Sequence, residues 1–89
     1  MAFQLPPGQT LPPPPAYIPP KPAVSYIVDC VNNYTFVWLW NGENFWYYPT
    51  WVESGAVLGY RWNGFAWYFY GFDPRLIEAV SCPPIPTLF

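Results

Sequence analysis

Trp40-Asn41-Gly42-Glu43-Asn44-Phe45-Trp46-Tyr47-Tyr48 aligns without a gap on Trp62-Asn63-Gly64-Phe65-Ala66-Trp67-Tyr68-Phe69-Tyr70. Each stretch opens on Trp-Asn-Gly, and each Asn-Gly lies between runs of aromatic and β-branched residues. That arrangement is a strong hairpin signal, because a two-residue type I′ turn needs two residues that tolerate positive φ. The chain therefore reads as mainly β, a small antiparallel sheet of two related hairpins. Nearly every repeated residue packs or stacks, which turns the reading away from catalysis.

A two-residue loop sets the register, and the register sets the faces. On that reading Trp40 pairs with Glu43, Trp38 with Phe45 and Phe36 with Tyr47; in the second hairpin Trp62 pairs with Phe65, Tyr60 with Trp67 and Leu58 with Phe69. These residues form the expected core. The opposite face carries Thr35, Val37, Leu39, Asn44, Trp46, Tyr48, Arg61, Ala66, Tyr68 and Tyr70. Its apolar bodies with polar tips suit a surface that a partner covers. Trp46, Tyr48, Arg61, Tyr68 and Tyr70 are accordingly the candidates for an interface or ligand platform. A loop wider than two residues would undo the assignment.

Outside the hairpins, residues 23–31 read as a first strand or an extended lead-in, and Asn32-Asn33 as a turn. Pro49 is expected to end the first hairpin, since it cannot donate to a ladder. Glu53-Ser54-Gly55 marks the next turn. Asp73 and Pro74 are an N-cap and a first helical residue, so one short helical turn follows, then an extended piece to Cys82. Three segments result: a proline-rich arm over 1–22, a β domain over 23–82, and a second proline-rich tail over 83–89. A domain that small ordinarily needs a staple or a partner.

The arm contains Pro14-Pro15-Ala16-Tyr17, which suits a WW-type groove, inside a longer Leu-Pro-Pro-Pro-Pro tract of the kind EVH1-type grooves accept. It also reads as a stiff spacer at about 3.1 Å per residue. A third reading, drawn from Pro14, Pro15, Tyr17 and Ile18, is an arm that lies against its own sheet or a neighbour's.

Three cations (Lys21, Arg61, Arg75) face five carboxylates (Asp29, Glu43, Glu53, Asp73, Glu78), for a net charge of −2. Without a basic patch there is no electrostatic footprint for nucleic acid. So few charges also leave apolar patches undefended against self-association. No apolar run approaches the ~20 residues of a membrane-spanning helix. The opening Met-Ala-Phe-Gln-Leu-Pro-Pro has neither the basic nor the apolar region of a secretory signal, so synthesis in the cytoplasm without export is expected.

Histidine is absent, which removes Ser-His and Cys-His chemistry, and the carboxylates are isolated along the chain. Gly59, Gly64 and Gly71 make no phosphate-cradling pattern. The expectation is a protein that is not an enzyme and holds no cofactor. Cys30 and Cys82 without histidine make no zinc site. Flanking the predicted sheet, they admit three states: one intrachain disulfide, intermolecular pairing, or two free thiols.

The order of proline-rich arm, cysteine, a Phe-Val-Trp-Leu strand ending in Asn-Gly, then Phe45-Trp46-Tyr47-Tyr48-Pro49, Gly59-Tyr60-Arg61-Trp62 and a closing cysteine resembles small uncharacterised proteins of spore-forming Firmicutes, over most of 30–82. The resemblance implies a location at the spore or cell surface and carries no functional residue with it. Spore-coat-type proteins are made without a signal and meet an oxidising exterior later, which would reconcile a missing signal with a disulfide.

The functional expectation is a structural, self-associating surface protein, a homo-oligomer or polymer such as a coat or filament component. Its assembly elements would be the aromatic face, the strand edges and the arm. The alternative is a non-catalytic module that binds polysaccharide or peptide, or another surface protein, on exposed Trp and Tyr.

Overall fold

The computed structural model describes residues 11–82; the first part of the arm (1–10) and the tail (83–89) lie outside the described residues. Five strands form one antiparallel sheet: β1 (Thr35–Leu39), β2 (Asn44–Glu53), β3 (Ala56–Trp62), β4 (Trp67–Phe72) and β5 (Ile77–Ser81). Their order is β4-β3-β2-β1-β5. Both hairpins form, and Ser54-Gly55 joins them, with Gly55 at φ 90°. Asp73 caps a single 3-10 turn (Pro74–Leu76) by accepting the Arg75 amide at 2.8 Å. Residues 23–31 are no strand. They bend at Ala23-Val24 and pass through an extended Tyr26 into a 3-10 turn (Ile27–Cys30) that buries Ile27 and Cys30.

Neither Asn-Gly loop is a type I′ turn, because among the described residues Asn32 is the one non-glycine at positive φ. In the first hairpin the Gly42 amide donates to the Leu39 carbonyl at 3.1 Å, and the Leu39 amide to Glu43 at 2.9 Å. With Gly42 at φ 95°, this is a three-residue loop that ends on a left-handed glycine. In the second, Gly64 (φ 96°) and Phe65 are central, and the Asn63 amide donates to the Ala66 carbonyl at 3.1 Å.

The asparagines act through their side chains. Asn41 Oδ1 takes the Glu43 amide at 2.9 Å, and Asn63 Oδ1 takes those of Phe65 and Ala66 at 2.9 and 2.8 Å. An asparagine used this way sits ahead of the left-handed position and leaves that position to glycine.

The registers move in consequence. In the first hairpin Val37 lies opposite Phe45 and Phe36 opposite Trp46, one residue from the expected pairing. A slip of one exchanges the faces. Thr35, Val37 and Leu39 thus join Phe45 and Tyr47 in the core, whereas Phe36 and Trp38 turn to the other side and Trp40 stands in the loop. In the second hairpin Trp62 pairs with Trp67 and Tyr60 with Phe69, with the faces kept. Tyr60 lies opposite Tyr48 and Arg61 opposite Tyr47, so Leu58, Tyr60, Trp62, Trp67 and Phe69, the residues of that hairpin expected in the core, lie on the other face, and Val57, Tyr70 and Phe72 face the core instead.

The core gathers Ile27, Cys30, Val37, Leu39, Phe45, Tyr47, Val57 and Val80, with Val52, Tyr70, Phe72, Ile77 and Cys82 against it. Cys30 and Cys82 form a disulfide, Cα–Cα 5.8 Å, that ties the 3-10 turn to the end of β5. The first hairpin ends short of Pro49, but β2 runs on through it to Glu53 in its pairing with β3. The β1 ladder begins with Thr35 opposite Tyr47, so at Pro49 no β1 partner awaits an amide, and the Pro49 carbonyl takes the Asn32 amide at 2.7 Å instead.

Strands β4 and β5 are opposite edges of the sheet, yet residues 73–76 alone connect them. Four strand spacings in a flat sheet amount to roughly 19 Å, and five fully extended residues reach about 18 Å at most. The link is shorter still, because Pro74–Leu76 coils. The sheet must therefore curl, and its two edges approach at this end.

Candidate functional site

The face opposite the core is paved with aromatic rings in cross-strand register. Tyr48, Tyr60 and Phe69 are successive partners across β2, β3 and β4; Phe36 lies opposite Trp46, and Trp62 opposite Trp67. Such pairs are the stabilising units of a sheet surface. Tyr34, just ahead of β1, extends the paving: its ring meets Tyr48 edge-on at 5.7 Å and stacks on Trp67 at 5.8 Å and 27°.

The arm lies across these rings. The Pro12 carbonyl accepts from the Tyr34 hydroxyl at 2.9 Å and from the Trp67 indole at 3.0 Å. Leu11 and Pro13 share a cavity with Tyr60, Trp62, Phe65, Ala66 and Trp67. Farther along, Pro15, Tyr17 and Ile18 line a shallow cleft with Phe36, Trp46 and Trp62, and the Tyr17 ring meets Trp46 edge-on at 6.5 Å. Lys21 then stands 5.9 Å from the Trp38 ring and pairs with Glu78 at 2.9 Å. Of the three readings of the arm, docking on its own sheet is the one seen.

The five platform candidates divide between faces. Trp46 and Tyr48 lie on the arm's side, and Trp46 is only 8% exposed. Arg61, Tyr68 and Tyr70 share the side of Tyr47. There the Arg61 guanidinium lies 4.0 Å from the Phe45 ring centre and 4.9 Å from that of Tyr70, with Glu43 at 3.5 Å. Among arm residues, Pro14 is half-buried, while Tyr17 and Ile18 keep well over half their surface in solvent. Sequence reasoning missed Tyr34 and Trp67 as anchors. Tyr34 is two residues before Phe36, so strand alternation carried one step past the start of β1 would have found it.

Burial, reinforced by neighbouring Tyr48, pushes the Tyr34 hydroxyl above its usual range, so it stays a donor near neutral pH. The described carboxylates are mostly engaged: Glu43 with Arg61, Asp73 with Arg75, Glu78 with Lys21, and Glu53 with the Trp51 indole at 2.8 Å. Hydrogen bonds from Arg75 hold Asp73 below the ordinary carboxylate range. Among the described residues no cluster of His, Cys, Asp or Glu is arranged to hold a metal, and no helix is long and apolar enough to cross a membrane.

The two sheet edges differ. Along β5, Ser25 Oγ accepts the Val80 amide at 2.9 Å, and residues 25–28 line a cleft with Ile77 and Glu78. Along β4, the Tyr70 carbonyl is taken by Tyr47, and no other described group outside β3 bonds its main chain. Its sequence, Trp-Tyr-Phe-Tyr-Gly-Phe, contains neither charge nor proline. No protein-family model matches the chain, and no curated protein or solved structure matches it.

Proposed function

We propose that this chain is a non-catalytic structural protein that self-associates at a spore or cell surface, with the edge of β4 as the principal contact. The observation that carries the reading is the contrast between the edges. An exposed strand end-to-end free of charge and proline is a template for a further strand, and proteins that stay monomeric usually blunt it. Here β5 is blunted by Ser25 and by the Lys21–Glu78 pair, whereas β4 is left with Tyr68 and Phe69 exposed by 40% and 57%. Antiparallel pairing of β4 with β4 of a second copy would be self-complementary, as a two-fold contact requires.

A polysaccharide platform has less behind it, because the arm lies over much of the aromatic paving. The intrachain Cys30–Cys82 bridge also leaves assembly to noncovalent contacts.

Light scattering after size exclusion, on oxidised and reduced protein, tests the proposal. The expected result is an oligomer or polymer in the oxidised protein, shifted toward monomer by Phe69→Lys with the circular dichroism of the sheet retained. A monomeric wild-type protein across the accessible concentration range would overturn it.

A further inference from the structure

A proline tract offers a receptor two things: carbonyl acceptors without competing amide donors, and pyrrolidine rings held at fixed φ. The surfaces that read it supply flat aromatic slots with hydrogen-bond donors at their rims. The face beneath the arm has this composition. Tyr34 and Trp67 stack on one another and both donate to one prolyl carbonyl, filling its two lone-pair directions. On one side of that anchor, Leu11 and Pro13 sit among Tyr60, Trp62 and Trp67. On the other, Pro15 and Tyr17 run past Trp46.

We propose that this aromatic face is a recognition site for polyproline II segments, and that its ligand in the assembled protein is the 11–18 segment of a second copy, exchanged for the chain's own. The segment's sequence and its fit are both present in this structure, so the ligand chemistry is read directly from the bound arm. Exchange conserves every contact, since each site receives the same segment it gives up. The connecting residues favour it. Residues 19–24 include Pro19, Pro20 and Pro22, a stiff run that reaches about 19 Å when extended. The described polar ties around this connection are the Lys21–Glu78 pair, whose side chains are 43% and 29% exposed, and the Ser25–Val80 bond. The presence of a second copy rests on the self-association reading; the recognition chemistry of the face does not.

The test uses full-length protein and the cavity shared by Pro13 and Ala66. Pro13→Cys and Ala66→Cys single variants are mixed with Cys30 and Cys82 left oxidised, joined by a short thiol-bridging reagent, and run on a denaturing gel. A covalent heterodimer is the expected product. It should fall at least fivefold when Tyr34→Phe is added to the Ala66→Cys chain, and likewise under an excess of synthetic peptide spanning residues 11–22. The double variant Pro13→Cys/Ala66→Cys, at high dilution, should close within one chain.

No heterodimer from the mixture, with closure of the double variant intact, overturns exchange. No closure in the double variant overturns the site itself. A heterodimer insensitive both to Tyr34→Phe and to the peptide overturns polyproline recognition. Repeating the mixture in the Phe69→Lys background separates the two proposals: heterodimer that persists there without large assemblies leaves exchange standing alone, whereas assemblies of the parent protein that form without heterodimer and that Phe69→Lys disperses leave β4 pairing standing alone.

Discussion

The Tyr47 hydroxyl, on the central strand, donates a 2.6 Å hydrogen bond to the Tyr70 carbonyl, which lies two strands away on β4. The Val57 carbonyl of the intervening strand is 3.4 Å from the same hydroxyl. Tyr47 is fully buried, and its ring packs on Phe72 at 5.1 Å and Phe45 at 6.0 Å. The side chain thus spans the inside of the curl and holds the open edge strand to the middle of the sheet. A buried phenol without that acceptor would bear the full desolvation cost of its hydroxyl.

Burial, followed by the neighbouring Tyr70, raises the Tyr47 pKa far above the usual tyrosine range, and burial raises that of Tyr34 in the same sense. A folded-state pKa above the unfolded one means that the native protein holds protons the unfolded chain has released. For the fully buried Tyr47 the contribution is therefore complete below about pH 10 and declines above it, by up to about 1.4 kcal/mol per pH unit, and the partly exposed Tyr34 acts in the same direction. Urea denaturation at stepped alkaline pH should show this fall. Tyr47→Phe should lower neutral-pH stability by about 1–2 kcal/mol and flatten the alkaline slope. A slope unchanged in the variant would refute the assignment.

Gly59 is the position where any side chain is excluded. An added Cβ would overlap the Tyr48 carbonyl oxygen and lie 2.8 Å from Pro49 Cα, and neither main-chain atom can rotate away. Gly59→Ala is expected to cost about 3 kcal/mol or more. Gly71→Ala is the control, because its Cβ would meet the movable end of the Leu58 side chain at 2.8 Å. Paired thermal melts should rank Gly59→Ala well below Gly71→Ala; equal losses would contradict the geometry.

Cys30 and Cys82 are 52 residues apart in sequence, so their bridge closes nearly all of the folded domain. The chain-entropy model assigns a loop of that length about 4 kcal/mol. Reduction, or a Cys30→Ser/Cys82→Ser double variant, should lower unfolding stability by that order. If the reduced and oxidised proteins melt alike, the bridge adds nothing to stability.

The order of elements was legible from punctuation: Asn41-Gly42, Ser54-Gly55 and Asn63-Gly64 mark the three hairpin loops, and Asp73-Pro74 the 3-10 turn. Pro49 marked the end of the β1–β2 pairing but not of β2, because a proline ends a strand only where its missing amide would have had a partner, and β1 stops short of it. Of the site, Trp46 and Tyr48 were found on the arm's side, but Arg61, Tyr68 and Tyr70 could not be separated from them without the β2–β3 register.

What the chain's own sequence determined is local: where it turns, which segments extend, and that aromatic residues would cover both faces of the sheet. Turn chemistry and alternation act within a few residues, so they survive translation into structure. The tertiary structure alone decided which face is core, since side chains alternate with a period of two and a third loop residue in the first hairpin exchanges the faces of β1. It alone placed β5 beside β1 and laid Pro12 between Tyr34 and Trp67. Those contacts join residues distant in sequence. Burial and hydrogen bonding across the whole curled sheet select them, and no window of neighbouring residues contains that information.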